Sequence, residues 1–317
     1  MSRTKKFKMT DLGPVPEDWQ VARISDVCTD YAYGVGAEAV AFDGENKYLR
    51  ITDIDDDSHG FVPSPLASPA FFSPCHVAKA GDLFVARTGA SVGKSYLYKL
   101  KDGKLIYAGF LMKAHVRNAC PQFVSYATQT ASYKCWVESE SARSGQPGIN
   151  LQQLKTFQFP APKDSEQRRI AAALSDADEL IAALTELLEK KRNLKQGAMQ
   201  QLLTGKRRLP GFKGEWVEMR LGSVCQMFSG GTPLSTERGY YGGSIPWVSI
   251  SDISSAGKYI VSTENQLTQK GFESSSVRWY PAGSLLFAMY ASIGKCCISR
   301  NRITSSQAIL GIFDFKG

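Results

Sequence analysis

Residues 164–191 read DSEQRRIAAALSDADELIAALTELLEKK, the pattern of one long amphipathic helix. Apolar residues recur there at alternating intervals of four and three, which is the a/d seam of a coiled coil. The seam comprises Ile170, Leu174, Ala177, Ile181, Leu184 and Leu188. Asp164 with Gln167 predicts a capping box at the start, and Gly205 followed by Pro210 predicts the end. About forty residues extend about 60 Å, so we expect the seam to pack against a second helix.

Blocks of sequence on either side of this helix resemble one another. AGDLFVARTGASVGK (80–94) recurs as AGSLLFAMYASIGK (282–295), and YLRITDI (48–54) recurs as WVSISDI (247–253). Because the blocks recur in one order at nearly constant offsets, we interpret the chain as one globular module encoded twice. The second copy has no counterpart of residues 117–208, so we expect it to be incomplete.

Short apolar or alternating runs, broken by Gly, Pro, Asp and Asn, predict strands in both copies. The runs are KYLRITDI (47–54), GDLFVART (81–88), SYLYKL (95–100), IPWVSISDI (245–253), GSLLFAMY (283–290) and CCIS (296–299). We therefore expect an α/β (α+β) fold, with two similar mixed-sheet modules joined by a long coiled-coil helix. The expected boundaries are 1–160 for the first module, 161–208 for the helix and 209–317 for the second module.

The composition is that of an ordinary globular protein, with 43% hydrophobic and 21% charged residues in 317, which excludes collagen-like and wholly disordered chains. Acidic residues interrupt the apolar stretch 170–188, so we expect no membrane span. The N-terminal sequence MSRTKKFKMT lacks the apolar core of a secretory signal, which predicts a cytoplasmic protein. The seven cysteines contain no CxxC pair, so we expect them to be reduced and without metal.

The net charge of +8 is concentrated in one segment, residues 190–214, which contains eight cations and no acidic residue. These cations are Lys190, Lys191, Arg192, Lys195, Lys206, Arg207, Arg208 and Lys213. Two explanations stay open. The cations can complement the dipole at the C-terminal end of the helix, or they can contact phosphate.

The sequence TGASVGKS at 88–95 resembles a phosphate-binding P-loop, but only three residues separate Gly89 from Gly93, where that loop needs four. Both copies nevertheless keep a glycine turn and a lysine, Lys94 and Lys295. Each lysine is either solvated or in contact with a phosphate. The copies differ just before the turn, with Arg87-Thr88 in one and Met289-Tyr290 in the other. Such divergence suits two modules that read different targets, because Arg can bond a guanine edge bidentately.

Other patterns associated with chemistry are weak. The acidic run Asp53, Asp55, Asp56 and Asp57 keeps a single carboxylate in the second copy, which favours a solvated turn over a cation site. We find no Ser/His/Asp or Cys/His constellation and no dinucleotide fingerprint. These patterns therefore identify no catalytic site.

The motifs PEDWQVARISDV (16–27), GINLQQLKTFQFPAPKDSEQRRIAAAL (148–174) and LKQGAMQQLLTGKRRLPGF (194–212) resemble the specificity subunit of type I DNA restriction-modification enzymes. The resemblance spans nearly the whole chain. It implies two target-recognition domains, each reading half of a bipartite site in double-stranded DNA, separated by long helices packed as an antiparallel coiled coil. It also implies that partners do the chemistry: modification subunits methylate adenine with S-adenosylmethionine, and a restriction subunit translocates and cuts. ATP and Mg are thus expected in the partner subunits, and no cofactor in this chain.

The resemblance does not identify base-reading residues, so we select DNA-binding candidates by chemistry and position. They are Tyr33, Arg87, Thr88, Lys94, Tyr290 and Lys295. The helix-pairing candidates are Ile170, Leu174, Ile181, Leu184 and Leu188. Because the second copy lacks its own helix in this sequence, we expect the 164–203 helix to pair with that of another copy, or the chain to be poorly active. Two other functions remain open: a coiled-coil adaptor indifferent to DNA sequence, and a nucleotide-binding enzyme acting through the 88–95 loop.

Overall fold

The computed structural model describes residues 6–142 and 147–315 of the chain. They form two compact units, residues 1–198 and 199–317. Each unit combines β-sheet with short helices, and the first also contains most of a 39-residue helix. The predicted mixed α/β fold with a long helix is thereby confirmed.

The first unit contains twelve strands and four short helices among its described residues, followed by the long helix. Its strands are β1 (Phe7–Thr10), β2 (Gly13–Pro16), β3 (Gln20–Arg23), β4 (Cys28–Tyr33), β5 (Ala39–Ala41), β6 (Lys47–Leu49), β7 (Ala67–Pro69), β8 (Asp82–Ala86), β9 (Ser95–Leu97), β10 (Leu105–Tyr107), β11 (Leu111–Val116) and β12 (Gln158–Ala161). Its helices are α1 (Ile24–Val27), α2 (Pro121–Ala127), α3 (Ala131–Ser141), α4 (Leu151–Thr156) and α5 (Asp164–Leu202). Short 3-10 turns lie at Ile51–Asp53, Pro74–His76, Gly89–Ser91 and Leu100–Asp102.

The second unit has a similar inventory of short elements. Its strands are β13 (Gln226–Ser229), β14 (Tyr241–Val248), β15 (Tyr259–Ile260), β16 (Asn265–Leu267), β17 (Leu285–Ala288), β18 (Cys296–Ser299), β19 (Thr304–Ser305) and β20 (Ile309–Phe313). Its helices are α6 (Leu221–Val224), α7 (Ile250–Ser255) and α8 (Gln269–Glu273), with a 3-10 turn at Arg238–Tyr240.

The two units share one topology. The main sheet of the first has the strand order β4-β11-β8-β9, and that of the second has the order β13-β20-β17-β18-β15. Neighbouring strands in the shared part of the order are antiparallel in both. Each unit also contains a parallel pair, β6 with β10 and β14 with β19. The duplication inferred from sequence blocks is therefore a duplication of the fold.

Strand β8 lies at the centre of the first unit and is buried along its whole length. Successive side chains point to opposite faces of a sheet. Leu83 and Val85 accordingly pack into a core shared with α2, α3, α4 and the start of α5, whereas Phe84 and Ala86 pack into a second core with Tyr96 and Tyr107. In the equivalent strand β17, Leu286 and Ala288 are buried while their neighbours on the other face are partly exposed.

Two of the predicted strands end earlier than the sequence pattern suggests. KYLRITDI is a strand only from Lys47 to Leu49, and its remainder turns into the 3-10 segment Ile51–Asp53. Likewise, the strand β14 stops at Val248 and helix α7 follows. In both cases an acidic side chain three residues ahead bonds the backbone N–H of the residue before the turn, which favours a helical turn over an extended strand.

Helix α5 spans Asp164–Leu202, close to the predicted range, but its start differs from the predicted capping box. The Asp164 carboxylate accepts a hydrogen bond from Arg168 Nε at 2.8 Å. Gln167 is buried, where its Oε1 accepts from the Cys120 N–H at 3.0 Å and its Nε2 donates to the Pro162 carbonyl at 2.9 Å. Gln167 therefore anchors the helix to the first unit rather than capping it.

All seven cysteines are free thiols, as the sequence predicted. Burial raises the pKa of the Cys28 thiol to about 12 and that of Cys297 to about 11. No helix in the described part of the chain is long and apolar enough to cross a membrane.

A pair of equivalent glycines offers a direct test of this packing. Gly93 (φ +82°) and Gly294 (φ +88°) occupy the same turn position in the two units. A Cβ at Gly93 would lie 2.7 Å from Val137 Cγ1, whereas a Cβ at Gly294 has no neighbour within 4 Å. We expect Gly93→Ala to destabilise its unit by about 2–4 kcal/mol through backbone strain and overpacking, and Gly294→Ala by about 1–2 kcal/mol through strain alone.

Urea denaturation followed by circular dichroism measures both effects, each in the transition of the unit that carries the substitution. Equal losses for the two variants would contradict the contact between the first-unit turn and α3.

Candidate nucleic-acid interface

Tyr33 and Arg87, both predicted to bind DNA, are in contact. The Arg87 guanidinium carbon lies 4.7 Å from the centroid of the Tyr33 ring, and the Tyr33 hydroxyl accepts a hydrogen bond from the Leu151 N–H at 3.3 Å. The Arg87 Nε is buried and has no hydrogen-bond partner among the described residues. Tyr33 is the last residue of β4 and Arg87 directly follows β8, so the main sheet brings them together.

The backbone around Arg87 and Thr88 is held on both sides. The Arg87 N–H donates to the Phe110 carbonyl at 3.0 Å, and the Arg87 carbonyl accepts from the Ile149 N–H at 2.9 Å. Thr88 forms an isolated antiparallel bridge with Gly148 and is partly exposed. These bonds place the two residues at a defined edge of the first unit.

Lys94 is the last residue of the same turn, and its side chain is largely buried and paired within the protein. Its Nζ lies 2.5 Å from an Asp56 carboxylate oxygen and donates to the Ile54 carbonyl at 3.1 Å. The Lys94 side chain is only 14% exposed, whereas that of Asp56 is 82% exposed. The pair lies at a cleft of about 420 Å³, which His59, Lys134 and Glu138 also line. Contact between Lys94 and a phosphate therefore requires that the lysine exchange Asp56 for the phosphate.

The turn does not form the amide nest of a P-loop. The N–H groups of Gly89, Val92, Gly93 and Lys94 donate to the carbonyls of Pro147, Gly89, Ala86 and Ser91. The buried Tyr133 hydroxyl donates to the Gly93 carbonyl at 2.9 Å, and burial raises the pKa of Tyr133 above its usual value. Because these four amides are already paired within the protein, they are not available to a bound phosphate.

The corresponding turn of the second unit is more open. Tyr290 is 63% exposed, and Lys295 is exposed and forms no ion pair with another described residue. At the offset that relates the 48–54 and 247–253 blocks, Ser255 replaces Asp56. The carboxylate that holds Lys94 is thus absent from this position in the second unit.

The acidic run of the first unit divides into a buried, structural Asp53 and an exposed turn that contains Asp56 and Asp57. Buried Asp53 accepts hydrogen bonds from the Arg50 N–H at 2.9 Å and from Arg50 Nε at 2.8 Å. In the second unit, Asp252 accepts from the Ser249 N–H at 2.8 Å and from the Glu264 N–H at 2.9 Å. The carboxylate shared by the two copies is therefore the one that closes the helical turn. No group of three or more His, Cys, Asp or Glu within residues 6–142 and 147–315 could hold a metal ion.

The predicted helix-pairing residues separate into two sets. Ile170 packs against the core of the first unit. Exposed fractions are 42% for Leu174, 62% for Ile181, 54% for Leu184 and 51% for Leu188. Leu180, Leu187 and Leu194, spaced by seven, are also exposed. The sequence prediction missed them because it considered only the a and d positions of the heptad. The apolar stripe on α5 is therefore wider than a two-position seam.

A family model described as the type I restriction modification DNA specificity domain matches residues 16–194 and 213–314. The chain belongs to this family. Specificity subunits are the non-catalytic members of type I systems, in agreement with the prediction that this family member is not an enzyme.

Curated relatives of this specificity-domain protein include a protein of Methanocaldococcus jannaschii named for the specificity subunit of the type I restriction enzyme MjaX. It is 24% identical over 266 residues, which are 78% of this chain and 62% of the relative. The EcoR124I/EcoR124II specificity subunit of Escherichia coli is 30% identical over 146 residues, covering 44% of this chain and 34% of the relative. The chain thus spans less than two thirds of the length of these relatives.

Solved structures share the fold of the specificity-domain chain. The type I restriction-modification S subunit from M. genitalium aligns with a TM-score of 0.59 at 18% identity, covering 98% of this chain and 75% of that one. A chain from a structural study of complex assembly and conformational transition of the type I R-M system aligns with a TM-score of 0.54 at 18% identity, covering 94% and 76%.

The structural role of Asp53 gives a testable contrast within the acidic run. We expect Asp53→Asn to lower the free energy of unfolding of the first unit by about 1–3 kcal/mol, because it weakens a buried set of bonds to Arg50. Asp57→Asn, at an exposed position of the same run, should change it by less than about 0.5 kcal/mol.

Urea denaturation of both variants measures the difference. A rise in melting temperature of the wild type on addition of Ca²⁺ or Mg²⁺ would instead revive a cation site at this run.

Proposed function

We propose that the chain reads a bipartite site in double-stranded DNA and directs modification subunits to methylate adenine, and a restriction subunit to cleave. Its two target-recognition domains are residues 1–160 and 209–317, with residues 161–208 as the spacer. S-adenosylmethionine, ATP and Mg are required by the partner subunits and not by this chain.

The observation that carries this proposal is one fold presented twice with chemically different turns. Arg87-Thr88 and Met289-Tyr290 occupy the same place, between the last residue of β8 or β17 and the glycine turn. A shared frame with different edge residues suits the reading of two different half-sites. Half-sites read by paired modules lie about one helical turn of DNA apart, and a long spacer helix would hold the two modules at that separation.

Arg87 is the strongest candidate for base recognition. Stacking on Tyr33 restricts the guanidinium plane, so less side-chain entropy is lost when its terminal N–H groups bind. An Arg bound bidentately to guanine discriminates by about 1–3 kcal/mol against a wrong base. Thr88, which is partly exposed, and Tyr290, which is exposed at the equivalent position of the second unit, supply further groove contacts in the proposal.

Lys94 and Lys295 serve as phosphate contacts in this proposal, which position the protein without specifying bases. Lys295 is exposed and can bind directly. Lys94 binds phosphate after releasing Asp56. Phosphate binding therefore breaks an ion pair in the first unit but not in the second.

The apolar stripe of α5 pairs with a second copy of the same helix in this proposal. Exposed leucines and isoleucine along several turns bury area best against another apolar helix. Such pairing would set the distance between two recognition domains.

Methylation mapping tests the proposed DNA reading. The chain is co-expressed with its modification subunits in a host free of adenine methylation, and methylated adenines are located by long-read sequencing. We expect a two-part motif. Dissimilar halves would mean that both units read DNA, and a palindrome would mean that the first unit acts in a helix-paired dimer. Formation of the complex without any sequence preference would favour the adaptor function instead.

Arg87→Ala in the same assay should relax the motif at one position, because only one half-site contains the base that Arg87 contacts. Arg117→Ala is a matched control: it removes an exposed cation from the same unit at a distance from the turn in sequence, and the motif should not change. Loss of methylation at all sites by Arg87→Ala, with an unfolded first unit, would assign Arg87 to stability instead.

Self-pairing of α5 predicts a dimer in multi-angle light scattering. Ile181→Glu with Leu188→Glu should give a monomer, because each places a charge in the apolar stripe. Ala182→Glu, on the opposite face of the helix, should leave the dimer intact. A well-behaved monomer of the wild type at micromolar concentration would overturn self-pairing.

A further inference from the structure

Cations lie over aromatic rings at several places in the second unit, and one such group is near the edge strand β15. The Arg300 guanidinium lies 3.7 Å from the centroid of the Tyr259 ring, and Lys258 Nζ lies 5.2 Å from the same centroid. Arg302, two residues further, lies 4.4 Å from the Trp279 ring. Lys258, Arg300 and Arg302 are all exposed, and Tyr259 belongs to β15, the edge strand of the main sheet.

These cations have no acidic partners. Every ion pair found among the described residues lies in the first unit, although the second unit contains 13 Lys and Arg against 7 Asp and Glu. Aromatic stacking orders a guanidinium without neutralising it. The edge therefore presents ordered positive charge that the protein itself does not compensate.

The spacing of the cations is repeated in the first unit. The second unit has Lys295, Arg300 and Arg302 around β18, and the first has Lys94, Lys99 and Lys101 around β9. In both sets four residues that contain the strand separate the first cation from the second, and one residue separates the second from the third. Lys99 and Lys101 are exposed like their counterparts. A charge pattern kept at identical spacing in two otherwise divergent copies indicates one shared ligand.

Strand geometry relates this pattern to DNA. At about 3.3 Å per residue, Lys295 and Arg300 are about 17 Å apart along β18. The major groove of DNA is about 12 Å wide and has phosphates along both walls, so a span of this length can bridge the two walls without the strand entering the groove. Cations at the two ends of one hairpin strand can therefore reach phosphates on opposite walls of the groove.

We infer that the β17–β18 hairpin is a phosphate clamp, in which Lys295 contacts one wall of the major groove and Arg300 and Arg302 contact the other. The β8–β9 hairpin, with Lys99 and Lys101, plays the same part for the other half-site. This inference rests on the proposed function. It adds Arg300 and Arg302, and Lys99 and Lys101 in the first unit, as sequence-independent contacts beyond the lysine that ends each turn.

The salt dependence of DNA binding tests the clamp. The full chain is titrated against a duplex carrying the mapped site and against a scrambled duplex, by fluorescence anisotropy between 50 and 200 mM KCl. Arg300→Ala with Arg302→Ala should weaken binding to both duplexes by a similar factor. The slope of log K against log salt should fall in magnitude by about 2, because about 0.9 is lost for each phosphate contact removed.

Two double variants show whether the salt slope depends on the total charge of the unit or on charge at Arg300 and Arg302. Arg238→Ala with Lys270→Ala removes the same charge from other exposed sites of the second unit and should leave the slope nearly unchanged. Arg300→Lys with Arg302→Lys keeps the charge and should retain most of the slope. Thermal melts of all variants establish that the unit stays folded.

Each result bears on a different claim. If the wild type discriminates between the duplexes but the Arg300 and Arg302 double variant keeps its slope, the clamp is wrong and the proposed function stands. Weaker binding of the specific duplex alone would mean that Arg300 and Arg302 read bases, and would also overturn the clamp. A wild type that does not discriminate between the duplexes would contradict the proposed function itself.

Discussion

Burial of both faces of β8 is the constraint on which the first unit depends. A strand whose alternate side chains are all apolar must be covered from two sides, since either exposed face would leave several large side chains in water. Helices α2, α3 and α4 cover one side, and the parallel pair β6–β10 contributes to the core on the other. The turn after β8 therefore starts from a fully buried strand and lies against α3. The positions of Tyr33 and Arg87 are fixed by the same sheet, because each lies at the end of one of its strands or directly after it.

The sequence carried enough information to predict the duplication, the long helix and four of the nine strands of the main sheets, namely β8, β9, β17 and β18. Each of these depends on periodicity or on repetition, which are visible along the chain. The strands predicted to continue into RITDI and SISDI were too long. The Asp53 and Asp252 carboxylates accept hydrogen bonds from the Arg50 and Ser249 N–H groups and close a helical turn where the apolar pattern still alternates. A capping-box search would have found the turn at Ser249–Asp252, but not the one at Arg50–Asp53, because Arg does not fit the first position of that pattern.

The candidate site was harder to predict because its contacts join distant parts of the chain. Lys94 is held by Asp56, and Tyr33 meets Arg87, across separations that no local pattern encodes. Tyr259 and Arg300 likewise meet only because β15 pairs with β18. Residue type and turn position indicated which side chains could bind DNA, whereas their partners depended on strand pairing. That is why Lys94 and Lys295, equivalent in sequence, differ in exposure and in charge environment.

The difference between Gly93 and Gly294 also affects how readily each unit can acquire a new specificity. The first turn is packed beneath Val137, so an altered residue there disturbs the core and the edge together. The second turn has open space around it, and its residues can change without repacking the sheet. Variation should therefore accumulate more easily in the second turn, whereas a new first turn would have to be inherited together with its supporting helix.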